Sequence, residues 1–187
     1  MPVVIRSLLQ DHANTSLLLE ALERQIDAFA AGEAVDMGLL QSCLEYFASF
    51  PDACHHPKED LILERLRRRA PDKAKELSRL EEEHRELAEA TATLTRLVDS
   101  IVREEELPRD TLVGAGRGYV DNYRRHMAME EQALFQVAAE ILTPEDWLEV
   151  GEAIYLRTDP VFGDRYDAAF AALRADIDAM AGHSRGP

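Results

Sequence analysis

Apolar residues recur along most of the chain in steps of three and four, the period of a helix with one buried face. The first such run is Ile5, Leu8, Leu9, His12, Leu19, Leu22, Ile26 and Phe29, and Gly32 follows it as a stop. Asp36 stands in the position of an N-cap before a second run, Leu40, Cys43, Leu44 and Phe47. Pro51 and Pro57 fall in the continuation of that run. Each lacks a backbone N–H, so a kink, or a break and a restart, is expected before 59–69. Pro71 opens a long third helix carrying Leu77, Leu80, His84, Leu87, Leu94, Val98 and Ile101 on one stripe. Residues 104–109 read as a turn, and a fourth helix carries Tyr119, Tyr123, His126, Glu130, Leu134, Val137 and Ile141.

Thr143 followed by Pro144 is an N-cap with proline at the first helical position, and starts a short fifth helix through Trp147 to about residue 156. Asp159, Pro160 and Gly163 mark a loop, and 165–181 reads as a sixth, alanine-rich helix. No segment requires a strand. Long helices with short connections predict an all-α fold, an up-down-up-down four-helix bundle over 1–142, with two additional C-terminal helices in an extension over 143–187.

Composition narrows the partners. The 187 residues carry a formal net charge of −15, and 46% are hydrophobic, enough for one real core. So acidic a surface repels phosphate backbones and anionic lipid, so neither nucleic acid nor a membrane is expected as a partner. No stretch approaches the roughly 18 apolar residues of a membrane span. Asp11 and His12 stand where a leader would need apolar residues, which makes a cytoplasmic location the expectation. Cys43 and Cys54 form no CxxC and read as reduced thiols.

The most informative pattern is a spacing. His12 lies 43 residues before His55, and His84 lies 42 before His126. Each later histidine is followed four residues on by a glutamate, Glu59 or Glu130. The flanking text agrees: Leu8 and Asp11 before His12 parallel Leu80 and Glu83 before His84, and Glu59, Asp60 and Leu63 parallel Glu130, Glu131 and Leu134. The chain reads as two copies of one helix hairpin, about 3–70 and about 72–142. Residues i and i+4 share a helix face about 6 Å apart, so each His–Glu pair can point at one centre. Packed together, the hairpins would bring four histidines and two glutamates to the middle. Imidazole with carboxylate suits iron, manganese or zinc, and two carboxylates can bridge a pair of ions.

At these residues the sequence resembles the hemerythrin-like, HHE cation-binding family. The resemblance covers about 3–142 and rests on His12, the run from His55 and His56 through Pro57 and Lys58 to Glu59 and Asp60, the Glu83–His84 pair, and His126 with Glu130 and Glu131. It implies a four-helix bundle around a carboxylate-bridged pair of non-haem iron ions, with Mn or Zn as substitutes. Carried over by position, His12, His55, His84 and His126 would be terminal ligands, and Glu59 and Glu130 the bridges. Two features depart from the oxygen carriers of that family: position 88, four after His84, is alanine, and the last pair is His126 and Glu130, four apart. The pattern is closer to bacterial members linked to iron–sulfur cluster repair and to iron-sensing domains.

His56 has two readings. Neighbours on a regular helix point about 100° apart, so His55 and His56 cannot both face one centre unless the backbone near Pro57 is distorted. With that distortion His56 becomes a further ligand; without it, it lies behind the ligands or at the surface. A rival register pairs His56 with Asp60. Tyr46, Phe47, Tyr119 and Tyr123 are candidates for the wall of the pocket, against a plain core role. Cys54 adjoins His55, and His183 falls in the tail. Functionally, such a centre would bind or sense O2, nitric oxide or iron. Alternatively it would act as a redox enzyme on peroxide or nitric oxide, or donate iron for cluster repair, with electrons from a partner protein. A third class uses metal only for folding. The sixth helix would serve as a lid or mediate a homodimer.

Overall fold

The computed structural model describes residues 1–154 together with Leu173, Ala175 and Ile177. Every regular element among them is helical. Helix α1, Val3–Ala31, ends at Gly32, whose φ of 75° is the left-handed conformation that glycine reaches without a Cβ clash. The next amide, Glu33 N, returns to Ala28 O at 2.9 Å, closing the helix end. Helix α2, Met37–Phe50, starts where the Asp36 carboxylate accepts from Leu39 N at 2.9 Å.

The prolines do not break the helix. Pro51–His55 forms one wide π turn in which the amide of His56 donates to Pro51 O, and helix α3, His56–Arg69, continues directly. A proline ring inside a regular helix clashes with the carbonyl four residues back, and the wider turn relieves that clash without ending the helix.

The third segment departs from the continuous helix expected from Pro71. It is a short helix α4, Pro71–Glu76, then a tight connection, then α5, Leu80–Val102. The connection runs on short-range bonds, Leu77 N to Ala74 O and Ser78 N to Lys75 O, both 3.2 Å. Tightening the chain there lets Ala74, Leu77 and Leu80 all be buried in one apolar group.

Helix α6, Arg109–Met129, runs through a second π turn, Glu130–Leu134, into α7, Phe135–Ile141. Helix α8, Pro144–Ala153, opens with a reciprocal capping box between Thr143 and Asp146. The sixth helix expected over 165–181 lies outside the described residues except for Leu173, Ala175 and Ile177, which are helical; His183 and the loop near Gly163 also lie outside them.

The helices pack as a bundle: α1 against α6, α6 against α5, α5 against α2, and α2 against α1. The core has two separate parts. One contains Leu18, Leu22, Leu40, Leu44, Phe47, Leu94, Val98 and Val120, joined by Leu173 and Ile177. The other contains Ile5, Leu8, Ile62, Leu66, Leu80, Leu134, Phe135 and Val150. On each long helical leg, the residues between the two parts are the histidines and glutamates picked out by the repeat. Helix α8 is clamped on α3 by Arg69, which donates to both oxygens of Asp146 at 2.9 and 3.1 Å, and by Arg65 with Glu149 at 3.0 Å. No helix among the described residues is long and apolar enough to cross a membrane.

Helices α1 and α6 approach closely at Gly116, where an added Cβ would lie 2.1 Å from Ile26 Cδ1 and 3.0 Å from its Cγ1. The isoleucine has little room to yield, so Gly116→Ala is expected to destabilise the fold by about 1–3 kcal/mol. Gly114 and Gly118 meet nothing within 4 Å. Alanine there is expected to stabilise α6 by up to about 1 kcal/mol through helix propensity. Urea denaturation of the three variants checks the contrast; equal effects at all three positions would refute the close-packing account.

Candidate metal centre

Four helical legs bring the candidate residues together. His12 comes from α1, His55 from the first π turn, His56 and Glu59 from α3, His84 from α5, His126 from α6 and Glu130 from the second π turn. All seven are buried. Ligand-capable atoms of His12, His55, Glu59 and Glu130 lie within 4.8 Å of one another, and so do those of His56, His84 and His126. The two groups touch through the carboxylates. His84 Nε2 lies 3.3 Å from Glu59 Oε2 and 3.2 Å from Glu130 Oε1. Glu130 is also 3.2 Å from His12 Nε2 and 2.8 Å from His126 Nε2. Glu59 Oε1 is 3.5 Å from His55 Nε2.

The π turn before α3 answers the question posed by His55 and His56. The extra residue in the turn changes the angle between neighbours. His55 then sits against His12, Nε2 to Nε2 at 3.2 Å, while the His56 ring stacks on His84 at 3.7 Å between centroids and 8° between planes. Asp60, the rival partner for His56, is exposed and outside the cluster.

The outward nitrogens of four histidines are held by carboxylates. Nδ1 of His12 donates to Glu131 at 2.9 Å, His55 to Asp11 at 3.3 Å, His56 to Asp52 at 2.9 Å and His126 to Glu83 at 3.1 Å. A carboxylate on Nδ1 fixes the ring's orientation and tautomer and leaves Nε2 as the free donor atom. Sequence reasoning had no role for these four acids. Asp11 and Glu83 carried a signal, since each immediately precedes the lone histidine of its repeat.

Inside the cluster the hydrogen bonding is incomplete. Both oxygens of Glu59, Oε2 of Glu130 and Nε2 of His126 are buried without a well-formed hydrogen bond, although imidazoles stand close by. Unpaired polar atoms at this depth are costly, and carboxylates with imidazole nitrogens facing each other form a donor set suited to a cation. The residues therefore fit a metal.

A cavity of about 190 Å³ opens beside His56 and His84, lined further by Phe47, Leu87, Ala88 and Tyr123. Of the expected wall residues, Phe47 and Tyr123 take that place. The Tyr119 hydroxyl instead pairs with Thr91 Oγ1 at 2.9 Å, and Tyr46 stacks on Phe50 in the core. Cys43 and Cys54 are buried and form no disulfide.

The charges are strongly coupled. Burial presses the His55 imidazole down, but the Glu59 charge and the bond to Asp11 lift it to about 10. His84 is lifted against its burial to about 9 by Glu130 and Glu59. Burial, with His84 alongside, pushes His56 down to about 3, which keeps it neutral. Burial opposes ionisation of Glu59 and Glu130, yet the surrounding histidines hold both below the usual carboxylate range.

The family described as Hemerythrin HHE cation binding domain matches the chain over residues 3–138, a span that contains all seven cluster residues. No curated protein and no solved structure matches the chain.

These shifts give the cation-free protein a defined pH response. His55 and His84 are raised, so their stabilisation is complete below the ordinary histidine value, about 6.5, and is lost as pH rises toward 9 and 10. Glu59 and Glu130 are lowered, so theirs is present above about 4.5 and lost on acidification. His56 works in the opposite sense to His55 and His84, losing stabilisation as pH falls from 6.5 toward 3. Between about pH 7 and about pH 10 the thermal midpoint of the cation-free protein should fall by several degrees. Calorimetry across that interval checks this, and a flat midpoint would contradict the coupling of the histidines to the buried glutamates.

Proposed function

The chain belongs to the hemerythrin HHE cation-binding family, and we propose that its buried cluster holds a pair of non-haem iron ions and presents them to a small ligand. The observation that carries this reading is the set of buried atoms on Glu59, Glu130 and His126 that lack hydrogen bonds and face one another across the cluster. Glu59 and Glu130 would bridge. His12 and His55 would serve one ion, and His56, His84 and His126 the other, following the two groups in which these atoms lie. The same donor set accepts Mn or Zn. The packing order of the helices supports reading α1, α2 with α3, α5, and α6 with α7 as the legs of an up-down-up-down four-helix bundle ending near residue 142, with α8 and the C-terminal segment appended.

When bound, a pair of iron ions supplies reversible coordination of a small ligand and one-electron redox steps. The chain's own residues do the rest. Asp11, Asp52, Glu83 and Glu131 orient four of the five rings that would hold the ions. Phe47, Leu87, Ala88 and Tyr123 form a mostly apolar approach to the His56 and His84 side and limit water there. That approach favours a small uncharged ligand such as O2 or nitric oxide, bound or sensed.

The test is iron content and visible absorption of protein purified without oxygen and loaded with ferrous iron, before and after air. A pair of ions per chain with new absorption in air supports the reading; no uptake of ferrous iron refutes it. His84→Ala and Glu130→Ala should each lose iron and lower the thermal midpoint of the loaded protein together. His56→Ala should lose at least one ion of the pair or shift the spectrum; full occupancy with an unchanged spectrum would remove His56 from the ligand set. Steady consumption of peroxide by the loaded protein would move it into the redox-enzyme class.

A further inference from the structure

The repeat extends outward from the cluster. In each half, the acid that precedes the lone histidine crosses to the paired histidine of the neighbouring leg: Asp11 to His55 at 3.3 Å, Glu83 to His126 at 3.1 Å. Each acid in turn carries a cation. Lys58 Nζ donates to Asp11 Oδ2 at 2.7 Å, and Arg79 Nε lies 3.1 Å from Glu83 Oε1.

The two arrangements differ in burial. The side chains of Lys58 and Asp11 are 6% and 10% exposed, whereas those of Arg79 and Glu83 are 75% and 19% exposed. Lys58 is fixed further by Ser7 Oγ at 3.0 Å.

A buried lysine–carboxylate pair is a poor device for holding two helices together. Both ions lose their hydration, and apolar side chains of like volume would serve at lower cost. The same Asp11 oxygen that takes Lys58 also accepts His55 Nδ1. A carboxylate in that position raises the basicity of the opposite ring nitrogen. A cation buried beside the carboxylate tempers the effect, and a cation in water does so much less because solvent screens it.

We propose that Asp11 and Lys58 are positioning residues that act through His55 and make the cation position at His12 and His55 different from the one at His56, His84 and His126. This rests on the reading of the cluster as a site for a pair of ions. The Lys58–Asp11–His55 relay is shut off from solvent, and its counterpart, Arg79–Glu83–His126, is open to it. The duplicated hairpins thereby build two unlike halves from one plan.

The experiment is titration of the full, cation-free chain with Co²⁺, followed by visible d–d absorption, with circular dichroism as the control for folding. Wild type is expected to fill in distinguishable steps. Asp11→Asn should weaken one step by about 10–100-fold and leave the other in place. Glu83→Gln should weaken the other step. Lys58→Met should shift the absorption of the step that Asp11→Asn weakens, and Lys58→Arg should restore it. The proposal is overturned if Asp11→Asn moves both steps alike or neither, or if Glu83→Gln moves the same step. If Asp11→Asn does not fold, the Lys58 pair decides: Lys58→Met with a wild-type spectrum, or Lys58→Arg as altered as Lys58→Met, overturns it. Wild type that takes up no Co²⁺ overturns both this proposal and the reading of the cluster beneath it, whereas normal uptake with unchanged variants overturns this proposal alone.

Discussion

Glu59 and Glu130 have no access to water, and no apolar packing can satisfy them. The rest of the molecule is arranged around that constraint. Five imidazoles surround the two carboxylates, four further acids hold four of those imidazoles, and apolar groups close the bundle above and below. The two parts of the core keep the helices parallel enough for cluster residues on different legs to meet. The polar belt keeps those parts from merging into one. Each would be a simple helical core without the other, and their separation is set by the depth of the belt.

Much of this could be read along the chain. Helices, the stop at Gly32 and the caps at Asp36 and Thr143 are local chemistry, set by side chains within a few residues. The cluster was legible because it is written twice, and matched His and Glu spacings survive any uncertainty about where helices begin. What could not be read depends on tertiary packing. Leu77 and Leu80 keep a helical step across the connection between α4 and α5, so the break leaves no mark in the apolar pattern. Pro51 announced a disturbance but not its form. The second π turn, Glu130–Leu134, contains no proline at all. Lys58 looks like an ordinary surface residue until the fold buries it against Asp11.

The two hairpins are similar in plan and different in execution. The first π turn ends at His55; the second begins at Glu130. In the first hairpin the distortion therefore precedes the paired glutamate and frees the adjacent His56 to join the cluster; in the second it follows the paired histidine. That offset accounts for an extra histidine in one half, since the position after His126 is Met127, a buried core residue. A repeat that began as equal halves can acquire a specialised side through a shift in where the backbone widens, before the paired glutamate in one half and after the paired histidine in the other.

The order of the cluster residues along the chain has a consequence for biosynthesis. The set opens at His12 on α1 and closes at Glu130, and α1 finds its main packing partner in α6. A growing polypeptide therefore holds His12 without the residues that complete the cluster until Glu130 has been made. The cluster is complete only once α6 and the turn after it have been made. Until then the nascent chain has a half-built polar belt and an α1 without its main packing partner, the state in which it most needs protection from aggregation.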